Sequence, residues 1–169
     1  MSAPHHPCWS LPVHNGTLIL TPCPGTQDVA LSESLTQLKA QGVTALITLM
    51  SSEELAESGL PDFACAVNAS HLDWFQLPIP DFGVPGADFD QAWDVCHTEL
   101  LQRLHSGDTL ALHCKGGSGR TGLVAAKLML ASGESPAAAI SAIQALRPRA
   151  FSYPAQRDYV FDSANQSAE

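Results

Sequence analysis

The chain has 169 residues, room for one domain, with 45% hydrophobic and 15% charged residues, the balance of an ordinary globular protein. Lys and Arg number 8 against 17 Asp and Glu, and the formal charge of −9 argues against a nucleic-acid binder or a protein held on anionic lipid. The N-terminus has neither Lys or Arg nor an apolar run, so it does not read as a secretory signal. The apolar stretch from Leu123 to Ala131 is interrupted by Lys127 and falls far short of the roughly 20 residues of a membrane span. Five cysteines at irregular spacing, without a Cys-x-x-Cys pair, do not suggest a disulfide framework. The expectation is a monomeric cytoplasmic domain with no nucleic-acid or membrane partner.

Residues 1–15, rich in Pro and His, read as a loose lead-in to a domain covering 16–165. Thr17 to Leu20 reads as a short strand, ended by the turn-prone Thr21-Pro-Cys-Pro-Gly25. Leu31, Leu35 and Leu38 recur at helical spacing before Gly42. Val43 to Met50 is a nearly continuous apolar run, the pattern of a strand covered on both faces. Ser51-Ser-Glu-Glu-Leu55 has the look of a helix start, and Trp74 to Ile79 is a further strand broken by Pro78 and Pro80. Phe89, Trp93, Leu100, Leu101 and Leu104 mark an amphipathic helix ending at Gly107. Thr109 to His113 is a buried-type strand, 120–132 and 136–147 are Ala- and Leu-rich helices, and a last helix begins near Pro154. Strands alternating with helices predict an α/β single domain with a central, mostly parallel sheet flanked by helices.

The chemistry concentrates in His113-Cys114-Lys115-Gly116-Gly117-Ser118-Gly119-Arg120-Thr121-Gly122, where a buried strand gives way to a helix. Glycines let successive backbone N–H groups turn into one concavity, and the helix adds its unpaired N–H groups and positive dipole end. Arg120 can hold two phosphate oxygens with its planar fork. The same positive environment favours a cysteine thiolate, and a thiolate at the floor of a phosphate nest is a nucleophile aimed at phosphorus. Each feature alone has a bland reading, a small core cysteine or a passive anion loop; their conjunction points to nucleophilic phosphate chemistry.

The run His113-Cys114-x5-Arg120-Thr121-Gly122 resembles the signature of the cysteine-dependent protein tyrosine and dual-specificity phosphatases. The likeness continues through Pro22-Cys-Pro-Gly25, Val43 to Met50, Pro78-Ile-Pro-Asp81-Phe-Gly-Val-Pro85 and Arg147-Pro148 with Gln156, across about residues 20–162. Among subgroups the chain is most similar to the cyclin-dependent kinase-associated phosphatase type. The resemblance implies a catalytic loop between a central strand and a helix, with Cys114 as nucleophile and Arg120 holding the transferring oxygens. Lys115, Gly116, Gly117, Ser118 and Gly119 would complete the phosphate cradle. Asp81 would act as general acid and then base, and Thr121 would stabilise the leaving thiolate. His113 and Gln156 would support the site, and the chemistry needs no metal or cofactor. The implied activity is hydrolysis of phosphotyrosine and phosphoserine or phosphothreonine on a phosphoprotein substrate, through a phosphocysteine.

Simpler readings stand beside several of these. Asp81 could be a turn residue, with Asp62, Asp73 and Asp88 as weaker rivals, and Gln156 could be a solvent-facing helix residue. His5, His6, Cys8 and His14 lack a fixed ligand spacing for a metal. Cys65 is a conceivable redox partner of Cys114, although a core cysteine is the plainer reading. Trp74, Phe75, Phe89 and Trp93 read as packing residues, and Arg147, Arg149 and Arg157 as a basic rim or as ordinary surface charges. Rival functions are a phosphoinositide or small phosphate-ester phosphatase, suggested by Lys115, a recognition module without turnover, and a rhodanese-type sulfur transferase, against which Arg120-Thr121-Gly122 argues.

Overall fold

The computed structural model describes residues 4–81 and 83–167; the first three residues of the expected lead-in, and Phe82 of the Pro78–Pro85 motif, lie outside them. The strands are β1 (Trp9–Val13), β2 (Gly16–Thr21), β3 (Val43–Thr48), β4 (Asp73–Gln76) and β5 (Thr109–His113). The helices are α1 (Leu31–Ala40), α2 (Ser52–Glu57), α3 (Phe63–Ala69), α4 (Ala87–His105), α5 (Gly119–Ala131), α6 (Pro136–Leu146) and α7 (Pro154–Ser167). They form one mixed sheet in the order β1-β2-β5-β3-β4, in which β2, β5, β3 and β4 run parallel and β1 is antiparallel to β2. The α/β fold read from the sequence is therefore the observed one.

Each side of the sheet carries its own apolar layer. Leu35 and Leu38 of α1, Leu55 of α2, and Phe63 and Val67 of α3 meet Ile19, Leu46 and Ala111 on one face. Phe89, Leu100 and Leu104 of α4, with α5, α6 and Val160 of α7, meet Leu18, Leu20, Ile47 and Leu112 on the other. Double coverage is why β3 and β5 read as continuous apolar runs rather than alternating ones. Helix α2 starts where its sequence provides a cap: Ser51 Oγ accepts the Glu54 N–H at 3.1 Å. Ser135 caps α6 through the Ala138 N–H at 3.2 Å, with Pro136 in its first turn. Among the described residues no helix is long and apolar enough to cross a membrane.

The reading of 1–15 as a loose lead-in needs correction. Trp9, Leu11 and Val13 alternate with Ser10 and Pro12, and that period of two builds β1, with Leu11 and Val13 buried. Pro12 is tolerated because β1 is an edge strand. Further upstream, His6 is buried, its Nε2 lying 3.0 Å from Pro22 O and 2.6 Å from Thr21 Oγ1. The strand expected over Trp74 to Ile79 ends at Gln76, before its two prolines. Helix α3 was not legible at all, since Asp62 at its start makes no side-chain cap and the helix is short.

Gly16 is required by close approach. A methyl group there would stand 2.5 Å from Asp108 O, in the α4–β5 connection, and 2.8 Å from Leu104 O, in the last turn of α4. Gly16→Ala should cost about 1–3 kcal/mol of stability, because neither carbonyl can yield. Urea unfolding checks this, and an unchanged midpoint would refute the close contact.

Candidate active site

Three neighbouring parallel strands deliver the site from their C-terminal ends, the edge of an open α/β sheet at which ligands bind. Strand β5 ends at His113 and passes into the loop 114–118 and helix α5. Strand β3 leads to α2 and Glu54, and β4 leads to Ile79 and Asp81. Cys114 is 3% exposed and its Sγ accepts the Gly117 N–H at 3.3 Å. Gly117 has φ +77°, and a methyl group there would lie 2.6 Å from the Thr21 backbone carbon, so this turn of the loop is open only to glycine.

Arg120, 2% exposed, is bound at both ends of its fork. Its Nη1 donates to Glu54 Oε2 at 2.7 Å and to Ile79 O at 3.1 Å, and its Nη2 donates to Glu54 Oε1 at 2.8 Å. Asp81 Oδ1 lies 3.3 Å from the same Nη2. Burial opposes the guanidinium charge, but the hydrogen-bonded Glu54 carboxylate, with Cys114 and Asp81 nearby, raises its pKa above the ordinary value. Cys23 is different: burial, followed by the proximity of Cys114, pushes its thiol up to about 12, which keeps it a neutral core group.

His113 is fully buried behind the loop. Its Nδ1 lies 3.0 Å from Cys114 O, and its Nε2 lies 2.8 Å from Thr48 Oγ1, which accepts the Trp74 indole N–H at 2.7 Å. The chain of donors is complete when Trp74 gives to Thr48, Thr48 to His113 Nε2, and Nδ1–H to the Cys114 carbonyl. Trp74 is therefore a hydrogen-bonding residue as well as a packing one.

A pocket of about 410 Å³ collects the expected site residues: Asp81, Cys114, Lys115, Gly116, Ser118, Gly119, Arg120 and Gln156 all line it, with Arg149, Ser152 and Tyr153 completing the rim. Gln156 is 2% exposed, not solvent-facing, and its buried Oε1 has no hydrogen-bond partner among the described residues. Thr121 lies one residue beyond Arg120 in α5, with its buried Oγ1 likewise unpartnered. A larger groove of about 1060 Å³ continues past Asp81 and Lys115, flanked by Glu54, Glu57 and Asp88. Of the rival acids, Asp73 pairs with Arg103 at 2.5 Å, Asp88 sits in the first turn of α4, and Asp62 opens α3. Cys65 is exposed on α3.

Two functional residues escaped the sequence reading. Glu54 registered only as part of a helix start, and nothing local to Ser51–Leu55 signals a partner 66 residues away. Arg147 was one of three late arginines, yet its Nε donates to Gly117 O at 3.1 Å and its Nη2 to Gly116 O at 2.9 Å. Its position in the Arg147-Pro148 match was the available signal.

The buried strand-to-helix loop, with its cysteine, arginine and facing carboxylates, defines the class of cysteine-dependent phosphatases. Residues 24–134 match the family described as polymorphic toxin system, DSP-PTPase phosphatase, and the chain belongs to that family. It is 30% identical over 113 residues to the cyclin-dependent kinase inhibitor 3 of Rattus norvegicus, a match covering 66% of this chain and 52% of the rat protein. The chain thus spans about half the length of that relative. Among solved structures, the kinase-associated phosphatase KAP with its catalytic cysteine changed to serine superposes with a TM-score of 0.86 at 23% identity, covering 99% of this chain and 98% of that one. PTPMT1 in complex with PI(5)P superposes with a TM-score of 0.67 at 20% identity, covering 94% and 96%.

Burial pushes the His113 pKa down to about 4 from 6.5, although the Cys114 carbonyl pulls the other way. The imidazole is neutral in the folded state, so the unfolded chain binds the extra proton between these two values. Its contribution to stability is present above pH 6.5 and is lost as the pH falls towards 4, with a total on the order of 3 kcal/mol. Urea unfolding between pH 7 and pH 4 should show that loss, and His113→Asn should flatten it. Equal slopes in the two proteins would contradict the assignment.

Proposed function

We propose that the chain hydrolyses phosphate monoesters through a phosphocysteine, acting on phosphotyrosine and phosphoserine or phosphothreonine in proteins. One observation carries this reading: Cys114, Arg120 and Asp81 line a single pocket together with Gly116, Ser118 and Gly119 of the loop. The backbone N–H groups of the loop and the positive end of α5 attract the phosphate dianion. Glu54 and the Ile79 carbonyl hold Nη1 and one hydrogen of Nη2, which leaves Arg120 the Nε–H and the second Nη2 hydrogen to give to two phosphate oxygens.

The Cys114 thiolate attacks phosphorus, forming the S–P bond as the bond to the ester oxygen breaks. Asp81, protonated, gives its proton to that oxygen, since an alkoxide or phenoxide leaves poorly without one. In the second half the Asp81 carboxylate takes a proton from water, the water oxygen attacks phosphorus, and the thiolate departs with orthophosphate formed. The unpartnered hydroxyl of Thr121 is suited to donate to that thiolate, and the unpartnered Oε1 of Gln156 to accept from the attacking water. The acidic groove beside the pocket, with Glu57 and Asp88, supports a phosphosite flanked by basic residues.

A second reading draws on Lys115 and Arg149, the cations on the pocket rim, which favour a substrate carrying further anionic groups, such as a phosphoinositide headgroup. Phosphate release from matched phosphotyrosine and phosphothreonine peptides and from phosphoinositide, with Cys114→Ser as blank, separates the readings. Release from peptides supports the first and release from lipid alone the second. Binding of phosphate without release from any of them would leave a recognition module.

Asp81→Asn should slow esters with poor leaving groups by about 100-fold or more while barely affecting activated aryl phosphates. Equal slowing on both would assign the proton to another group.

A further inference from the structure

Trp9 lies outside the pocket, on the edge strand β1, yet three contacts connect it to Cys114. Its ring lies over the guanidinium of Arg147, with the central carbon 3.8 Å from the ring centroid. The fork of Arg147 in turn takes the carbonyl oxygens of Gly116 and Gly117. A trans peptide unit is planar, so fixing its oxygen on one side fixes its N–H on the other. The unit that gives its oxygen to Arg147 at Gly116 gives its N–H to Cys114 Sγ at Gly117. The next unit, held at Gly117 O, turns the Ser118 N–H the same way. If either unit flipped, a carbonyl dipole would replace an N–H against the phosphate.

We propose that Trp9 is a positioning residue of the phosphate loop: by covering Arg147 it holds the guanidinium fork on the Gly116 and Gly117 carbonyls and keeps the loop's N–H groups turned towards the anion. An aromatic face restrains and partly desolvates a guanidinium that could otherwise swing into water. The same segment braces the loop a second time: His6 Nε2 contacts Pro22 O and Thr21 Oγ1, and the backbone at Thr21–Pro22 is the wall against which Gly117 packs. The N-terminal segment thus serves as the outer layer of the site.

The proposal rests on the loop binding an oxyanion, as the phosphatase reading requires, and the test does not depend on turnover. The full chain is titrated calorimetrically with tungstate, a phosphate mimic. Trp9→Ala, and Trp9→Leu, which keeps bulk but has no π face, should weaken binding by about 2- to 30-fold. Trp9→Phe should retain most of the affinity. Adding Trp9→Ala to Arg147→Ala should cost nothing further, because the route through Arg147 is already gone. Leu11→Ala, which empties the core beneath the same strand, should lower Tm without changing tungstate affinity.

Unchanged affinity in a folded Trp9→Leu protein, or an equal loss in the Arg147→Ala background, would overturn the proposal. Equal weakening by Leu11→Ala would also overturn it, by reducing Trp9 to strand stability. Tungstate binding without turnover of any phosphoester would end the phosphatase reading alone. A wild-type chain that binds no tungstate would end both.

Discussion

A guanidinium that is 2% exposed cannot be left without a counter-charge, because an unpaired buried charge costs several kcal/mol. Arg120 meets that constraint with Glu54, the carbonyl of Ile79 and the nearby carboxyl of Asp81; these partners come from two strand-to-helix units, β3–α2 and β4–α4, and Arg120 itself from a third, β5–α5. The parallel order β5-β3-β4 brings the three connections side by side at one edge of the sheet. Much of the layout follows from this pairing: the position of α2, the path of the chain after β4, and the reach of Asp81 towards the loop. The pair also leaves the arginine charged and fixed in orientation, so a phosphate arriving at the loop meets a guanidinium already in place.

The field around the pocket is local. In a chain of net charge −9, four of the eight Lys and Arg residues, Lys115, Arg120, Arg147 and Arg149, stand in or against one loop. Glu54, Glu57, Asp81 and Asp88 line the adjoining groove, which Lys115 borders as well. On the proposed phosphatase reading, the cations of the loop attract the phosphate group and the acidic groove selects among the residues around it. The surrounding core adds rigidity: the buried chain from Trp74 through Thr48 and His113 to the Cys114 carbonyl ties the loop's first peptide unit to two strands.

Sequence legibility followed the range of the interactions. Strand β5, the glycine loop and α5 are contiguous, so His113, Cys114, Arg120 and the intervening glycines were readable in one stretch, and Asp81 was readable through the family likeness of its Pro-bounded loop. The doubly covered β3 was readable because burial on both faces leaves a continuous apolar run. Glu54 was not, since a Ser-capped acidic first turn already has a sufficient local explanation. Strand β1 was hidden by Pro12 and the histidines around it, residues that an edge strand accepts but a central strand would not. Arg147 was hidden because a fork on backbone carbonyls leaves no complementary charge elsewhere in the sequence.

Covalent catalysis by Cys114 is tested most directly by trapping the intermediate. The wild-type chain is mixed with an activated aryl phosphate, quenched in acid within the first turnover, digested and examined by mass spectrometry. Phosphocysteine chemistry predicts one phosphoryl group on the peptide containing Cys114, with a matching burst of the phenol. Turnover without a burst and without a modified Cys114 peptide would contradict it, and would require water to attack the ester directly.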